Sequence, residues 1–229
     1  MDNRYKRNIG TVTIEENEKL RNFKVCVVGC GGLGGYIIEM LSRLGVGYIT
    51  CVDGDYFELS NLNRQLYCYE NNLGLNKAKC VKERVKQINS NVYINVIDKF
   101  LDDSNSTEIL RNHDLVIDGV DNIKVRFIIQ DTCKVLNIPM IHGAISGWYG
   151  QVTTILPGDD TLNYIYKNKH NEVDNNFGNP SFTPANVASI QVSECIKLLL
   201  DKGEVLSNKL LTIDLLFNEQ NIISINKYN

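Results

Sequence analysis

Residues 24–45 read KVCVVGCGGLGGYIIEMLSRLG, an apolar run broken by a glycine-rich turn and resumed as an amphipathic segment. The first part predicts a short buried strand at 24–29 and the last a helix, with the chain reversing over GCGGLGG. Gly29, Gly31 and Gly34 match the spacing G-x-G-x-x-G, with Gly32 beside them. Gly29 can make the turn, Gly31 lets the backbone approach a phosphate, and Gly34 lets the helix pack on the strand. Amides at such a helix N-terminus attract anions.

The rest of the chain repeats this grammar. Strands are expected at 48–53 (YITCVD), 91–98 (NVYINVID), 114–119 (DLVIDG) and 138–144 (IPMIHGA), with helices at 74–89, 106–112 and 122–137 between them. Short apolar strands separated by amphipathic helices form a parallel sheet covered on both faces. Right-handed crossovers then give a doubly wound, Rossmann-like α/β fold whose ligand lies beyond the C-terminal ends of the strands. After residue 144 the pattern changes. A strand at 148–158 is followed by a polar, irregular stretch at 157–184, a helix running from Pro184 to Gly203, and a closing hairpin within 209–227. The mostly parallel sheet is therefore expected to be extended by antiparallel C-terminal strands. No Pro-, Gly- or Ser-rich linker divides the chain, so residues 1–229 read as one domain: an N-terminal arm and short polar helix (1–22), a crossover loop (157–184), and a C-terminal helix and hairpin (185–229).

Composition narrows the partners. With 24 basic and 27 acidic side chains the net charge is −3, without the concentrated basic footprint of a nucleic-acid binder. No apolar stretch approaches the roughly 18 residues that span a bilayer, and MDNRYKRNIG lacks the apolar centre of a signal peptide. A cytoplasmic protein with neither nucleic-acid nor membrane partners is expected. The seven cysteines (26, 30, 51, 68, 80, 133 and 195) are odd in number and contain no C-x-x-C, which leaves a disulfide scaffold or a four-thiolate zinc site unsupported.

The glycines leave the phosphate's owner open. Asp53 ends the strand after them, where a carboxylate can accept hydrogen bonds from ribose hydroxyls, and on these residues alone a dinucleotide-dependent dehydrogenase is favoured. The next loop shifts the balance. DGDYFELSNLNRQ brings Asp55, Asn61, Asn63, Arg64 and Gln65 past the second strand, and Lys77 follows in GLNKAK. Arg and Lys converging on an open sheet edge suit a triphosphate, because a planar donor fork and a mobile point charge stabilise charge as a phosphate bond breaks. Lys77 taken alone reads equally well as an exposed helix position. At the end of the fourth strand, DGVDN sets Asp118 and Asp121 three residues apart, and one of them could hold a nucleotide-bound Mg²⁺. Asn122 would cap the next helix, though a plain turn and cap would use the same residues.

KVCVVGCGGLGG, VDGDYFELSNLNRQ, GLNKAK, DGVDN and GAISGWYGQVTTILPGD, in that order, resemble the ubiquitin-activating-enzyme superfamily. The likeness is to its bacterial branch of MoeB/ThiF/HesA-type adenylyltransferases, which act on sulfur carriers for molybdopterin and thiamine synthesis. It extends from RYKR to ASIQVSECIKLLL. The resemblance implies an ATP- and Mg²⁺-dependent reaction in which the C-terminal Gly-Gly carboxylate of a small β-grasp carrier becomes an acyl-adenylate. It implies Asp53 for the ribose, Asn61, Arg64 and Lys77 for the phosphates and transition state, and Asp121 for Mg²⁺. The remaining nucleotide contacts would come from Gly29, Gly31, Gly32, Gly34, Asp55, Gln65 and Asn122. In the family's R-Y-x-R motif the last arginine, here Arg7, reaches into the partner's site, which implies a homodimer.

The chain also departs from this pattern. Many relatives carry two C-x-x-C pairs that bind structural zinc. Here the first pair's place reads Asn163-Tyr164-Ile165-Tyr166 and no cysteine follows residue 195, so no zinc is expected and tyrosine packing should hold that lobe. Residues 157–184 contain no cysteine for a thioester, and Cys195 is spaced to face the core with Ala188, Val192 and Leu199. His113 and His170 read as exposed loop residues, and His142 as a satisfied histidine near the crevice. Two alternatives stand beside the carrier-activating reading: adenylation of a tRNA or small-molecule carboxylate, and a non-catalytic scaffold subunit.

Overall fold

Alternating burial along the strands decides how the layers assemble. The computed structural model describes residues 2–166 and 177–225. Its elements in chain order are α1 (Ile14–Leu20), β1 (Lys24–Val28), α2 (Gly32–Leu44), β2 (Tyr48–Val52), α3 (Lys77–Ile88), β3 (Tyr93–Ile97), α4 (Ser106–Leu110), β4 (Leu115–Asp118), α5 (Ile123–Leu136), β5 (Met140–Ser146), β6 (Tyr149–Ile155), α6 (Thr161–Ile165), α7 (Phe182–Leu200), β7 (Lys209–Asp214) and β8 (Glu219–Ser224). The strands form one eight-stranded sheet in the order β3-β2-β1-β4-β5-β6-β7-β8. Pairing is parallel from β3 through β5 and antiparallel from β5 through β8. The doubly wound, mostly parallel sheet with antiparallel C-terminal strands is therefore what the chain forms.

Because successive strand residues point to opposite faces, Val25 and Val27 of β1 join one core with α2, α3 and α7. Cys26 and Val28 join the other, built with α4, α5 and α6. The central strands β1 and β4 are thus buried on both sides, as a doubly covered sheet requires, while the edge strand β3 exposes Tyr93 and Asn95. The outermost strand, β8, is exposed along its whole length. Among the described residues no helix is long and apolar enough to cross a membrane.

Several boundaries differ from the sequence expectation. The helix expected from residue 74 begins at Lys77, because the side chain of Asn76 caps it by accepting the Lys79 amide at 3.1 Å. The stretch expected to be irregular at 157–184 contains the short helix α6. Helix α7 starts before Pro184 and stops at Leu200, where Asp201 takes a left-handed backbone with φ of 51°. His170 and the end of the expected hairpin lie outside the described residues.

The turn between β1 and α2 tolerates little. A methyl group in place of the Gly34 hydrogen would lie 1.8 Å from the Gly29 carbonyl oxygen, within backbone that cannot move aside. Gly178 has nothing within 4 Å of the same position. Gly34→Ala should cost about 3 kcal/mol or more in urea unfolding or prevent folding, whereas Gly178→Ala should stay within ~0.5 kcal/mol of the parent. Equal unfolding curves for the two variants would contradict this packing.

Candidate active site

The strand order reverses between β1 and β4, and a doubly wound sheet opens its crevice at such a reversal. Register places Val28 beside both Val52 and Asp118, so the chain segments leaving β1, β2 and β4 emerge together. The Gly29 amide donates to Val52 O at 2.8 Å, and the Gly119 amide donates to Val28 O at 2.8 Å. Gly29 has φ of 92°, and a side chain there would strike Gly119 O. Helix α2 then begins at Gly32 with no side chain capping it, which leaves its first amides facing the crevice.

Asp53 does more than its expected role required. One carboxylate oxygen accepts the Cys30 amide at 2.7 Å and the other the Asp55 amide at 2.9 Å. It therefore holds the glycine turn and the following loop together, while each oxygen keeps a second lone pair. Burial pushes the Asp53 carboxyl above its ordinary value, against those two amides and nearby Lys77. Asp55 shifts the other way. Burial raises it, but the bond from Lys77 and the Tyr56 amide outweigh burial and hold it below the ordinary value.

Lys77 is not an exposed helix position. It is the first residue of α3, buried, with its ammonium group paired to the half-exposed carboxylate of Asp55. Buried Asn76 fixes this corner by donating to Asp53 O at 3.3 Å and Asp55 O at 3.1 Å.

The loop after β2 brings the next residues over the glycine turn. Asn61 is buried and accepts the Glu58 amide at 3.0 Å, so its oxygen closes a local turn. Arg64 passes over α2: a methyl group on Gly32 would lie 3.9 Å from its Cγ and Cδ. Its Nη1 donates to Ser60 O at 3.1 Å and Asn63 Oδ1 at 2.9 Å. Gln65 sits beneath Gly31, buried, with its Oε1 unpaired among the described residues.

The two carboxylates of DGVDN separate completely. Asp118 has no exposed surface: its Oδ2 meets His142 Nδ1 at 2.7 Å and its Oδ1 accepts the Val120 amide at 2.9 Å. That corrects its candidacy as a metal ligand, because it is sealed inside a hydrogen-bonded cluster. Asp121 is exposed and no hydrogen bond or ion pair holds its carboxylate among the described residues. Asn122 caps α5, accepting the Val125 amide at 3.1 Å. Among the described residues no group of three or more His, Cys, Asp or Glu side chains is placed to hold a metal ion.

Arg7 does not join this site. Its segment is tied down at the opposite sheet edge, where the Tyr5 hydroxyl accepts from Asn89 at 2.7 Å and Lys202 donates to Thr11 O at 3.1 Å. Helix α7 connects the two edges: Pro184 at its start lies by Gly32, and Lys202 follows its end. At 1.5 Å per residue its nineteen residues span roughly 28 Å. Arg7 is exposed and out of reach of its own chain's crevice.

The histidines and cysteines divide differently from expectation. His142 is buried and satisfied, as expected. His113 is not an exposed loop residue: it is half-buried, with Nε2 2.7 Å from Thr50 Oγ1 and Nδ1 3.0 Å from Leu110 O. Burial lifts the thiols of Cys26, Cys68, Cys80 and Cys195, and that of Cys133 to about 12. Cys30 is raised first by the Cys51 thiol and then by burial. None of these six is poised as a thiolate.

Sequence reasoning missed three side chains that shape the crevice. Asn76 fell inside the helix expected at 74–89, whereas in the structure it caps that helix. Gln191 of α7 packs against Gly143 and donates to Asp118 O at 2.8 Å, and Arg126 of α5 donates to Val120 O at 2.8 Å. Nothing in their local sequence distinguishes Gln191 or Arg126 from ordinary helix residues.

The site thus combines an uncapped, glycine-led start of α2 with Arg64 and Lys77 on the segment after β2 and the free carboxylate of Asp121 after β4. The chain belongs to the ThiF family, whose model matches residues 5–229. It is 35% identical over 217 residues to the SAMP-activating enzyme E1 of Haloferax volcanii, covering 92% of this chain and 80% of that protein. It is 34% identical to a probable molybdopterin-synthase adenylyltransferase of Porphyra purpurea, covering 87% of this chain but 54% of that protein. The crystal structure of E. coli MccB with MccA-N7isoASN shares the fold, with a TM-score of 0.86 at 21% identity, covering 100% of this chain and 73% of that one.

Burial depresses His113 and His142 below the ordinary histidine value of 6.5, against opposing pulls from the Leu110 carbonyl and Asp118 respectively. Both are neutral in the fold, while the unfolded chain takes up protons near that value. Stability is therefore full above pH 6.5 and falls as pH drops below it toward the depressed folded values. Urea midpoints measured from pH 7.5 down to 5.5, about one unit either side of that value, should decline. His113→Gln should flatten part of that decline, and an unchanged slope would remove His113 from it.

Proposed function

We propose that this chain is an ATP-dependent adenylyltransferase that activates the C-terminal carboxylate of a small ubiquitin-like sulfur-carrier protein. What supports this reading is that the uncapped start of α2, Arg64 over Gly32, Lys77 paired to Asp55 and the exposed Asp121 all lie on segments that follow the C-terminal ends of β1, β2 and β4. Membership of the ThiF family and relatives named as adenylyltransferases and as an activating enzyme support it.

In this reading the carrier's carboxylate oxygen attacks the ATP α-phosphorus. A carboxyl–phosphate bond forms, the bond to the bridging oxygen breaks, and pyrophosphate leaves with that oxygen. No protein nucleophile is needed, so positioning and electrostatic stabilisation supply the rate. The α2 amides hold phosphate oxygens. Asp53 accepts from the ribose through the lone pairs its loop bonds leave. Lys77 exchanges Asp55 for phosphate, and the Arg64 fork spans the oxygens on which charge accumulates. Mg²⁺ fits the free carboxylate of Asp121, since this ion takes one or two carboxylates and fills its shell with phosphate oxygens and water. When bound, the ion would neutralise part of the phosphate charge.

Arg7 completes the reading through a second copy of the chain, because the crevice of its own chain is out of reach. The functional unit is then a homodimer with shared sites.

The test is ATP–pyrophosphate exchange with candidate carriers. Exchange should appear with a carrier ending in Gly-Gly and vanish when the terminal glycine is deleted. Lys77→Ala and Asp121→Ala should each lower it by about 100-fold or more, the scale of a lost electrostatic group, with the fold retained by circular dichroism. Normal exchange by either variant would remove that residue from the site. Nucleotide binding without exchange for any carrier would instead favour a scaffold subunit.

Arg7→Ala should also be inactive, yet mixing it with Asp121→Ala should recover up to about a quarter of parent activity, as random pairing of subunits yields one intact site in a mixed dimer. No recovery on mixing would overturn the shared site.

A further inference from the structure

The proposed chemistry needs Asp121 held still, yet nothing grips its carboxylate. Its backbone is gripped on both sides. Before it, the Val120 amide donates to Asp118 Oδ1 at 2.9 Å and the Val120 carbonyl accepts from Arg126 Nη2 at 2.8 Å. After it, Asn122 is locked as the cap of α5.

Arg126 is the centre of this arrangement. It is 7% exposed, and a guanidinium so far from water persists only where its donors are matched. Nη2 goes to the Val120 carbonyl. Nη1 donates to the Tyr166 hydroxyl at 2.8 Å, and the guanidinium lies 5.6 Å from the centre of the Tyr166 ring. Nε faces Asp118 Oδ2 at 3.6 Å.

Tyr166 closes the circuit. Its hydroxyl also accepts from Gln151 Nε2 at 2.9 Å and lies 3.2 Å from His142 Nε2. With Arg126 and Gln151 donating to it, the hydroxyl's own proton goes to His142 Nε2. His142 then carries its proton on Nδ1 and donates it to Asp118. These hydrogen bonds run in one direction, with Arg126 Nε alone in the cluster lacking an acceptor at hydrogen-bond distance among the described residues, and they begin on Val120 and end on Asp118, one and three residues before Asp121.

Tyr166 also stands at the last position of the sequence that replaces the first cysteine pair of zinc-bearing relatives. Its neighbours Asn163 and Tyr164 face solvent while Tyr166 turns inward. We propose that Arg126 and Tyr166 are positioning residues: they tie the end of α6 to the Asp121 turn and hold that turn in the geometry that adenylation needs. The catalytic half of this proposal rests on the adenylyltransferase reading; the structural half does not.

Two variants test it. Tyr166→Phe deletes one hydroxyl, and Arg126→Lys keeps the charge but loses the fork. Thr132→Val is the control, since Thr132 shares α5 with Arg126 and the change removes its hydrogen bond to Ser106 of α4 without touching the turn. In native-state hydrogen exchange, both test variants should speed exchange of the Val120 amide about 10-fold, the effect of one lost hydrogen bond on local opening. Thr132→Val should leave that amide unchanged. In ATP–pyrophosphate exchange, both test variants should lower kcat about 10-fold and raise the Mg²⁺ concentration needed for half-maximal rate, with the KM for carrier unchanged.

Val120 exchange that stays at the parent rate in both variants overturns the clamp. Faster exchange at Val120 with parent kcat and Mg²⁺ dependence overturns its positioning role. If the parent chain shows no adenylation with any carrier, the functional reading fails while the Val120 amide still decides the clamp.

Discussion

The contact on which everything else rests is between two pieces of backbone. Gly29 O lies so close to the Cα of Gly34 that no side chain fits, and Gly29 itself is pressed against Gly119. That approach brings the start of α2 down onto the ends of β1 and β4, where the strand order reverses. A side chain at either position would lift the helix away and separate its free amides from the loops that carry charge. The crevice is in this sense a gap at the ends of β1 and β4, made possible by the absence of Cβ atoms.

Around that contact, buried and half-buried polar groups hold the loops in position. Asp53 joins the glycine turn to the loop after β2, and Asn76 joins that loop to α3. On the other side of the crevice, Asp118, His142, Tyr166 and Arg126 join the turn after β4 to β5 and α6. Gln191 adds α7 by bonding the Asp118 carbonyl. Such groups are costly to bury unless fully partnered, and here the partners are mainly the backbone of the turns that present Arg64, Lys77 and Asp121. The loops that carry these charged side chains are fixed by a second set of residues that are buried or half-buried themselves.

Much of this was legible before the fold was known. Apolar strands alternating with amphipathic helices announced a doubly wound sheet, since both of its faces must be covered. The glycine spacing pointed to a phosphate at the turn after β1, and the order of Arg64, Lys77 and Asp121 to a triphosphate. What resisted reading were residues whose role depends on partners far along the chain. His113 looked like a loop histidine because Thr50, its partner, is 63 positions away. Asp118 and Asp121 looked interchangeable, and only the inward turn of β4 toward His142 separates the buried one from the free one.

Local chemistry was enough to specify most of the elements and the doubly wound, mostly parallel character of the sheet. Periodicity and glycine stereochemistry act within a few residues, and both can be read from the letters. Which carboxylate stays free, which lysine is buried, and which end of the molecule Arg7 occupies are settled by contacts between segments dozens of residues apart. Those contacts exist only once α7 has crossed the sheet and α5 has packed beneath it, because burial and pairing are properties of the assembled layers.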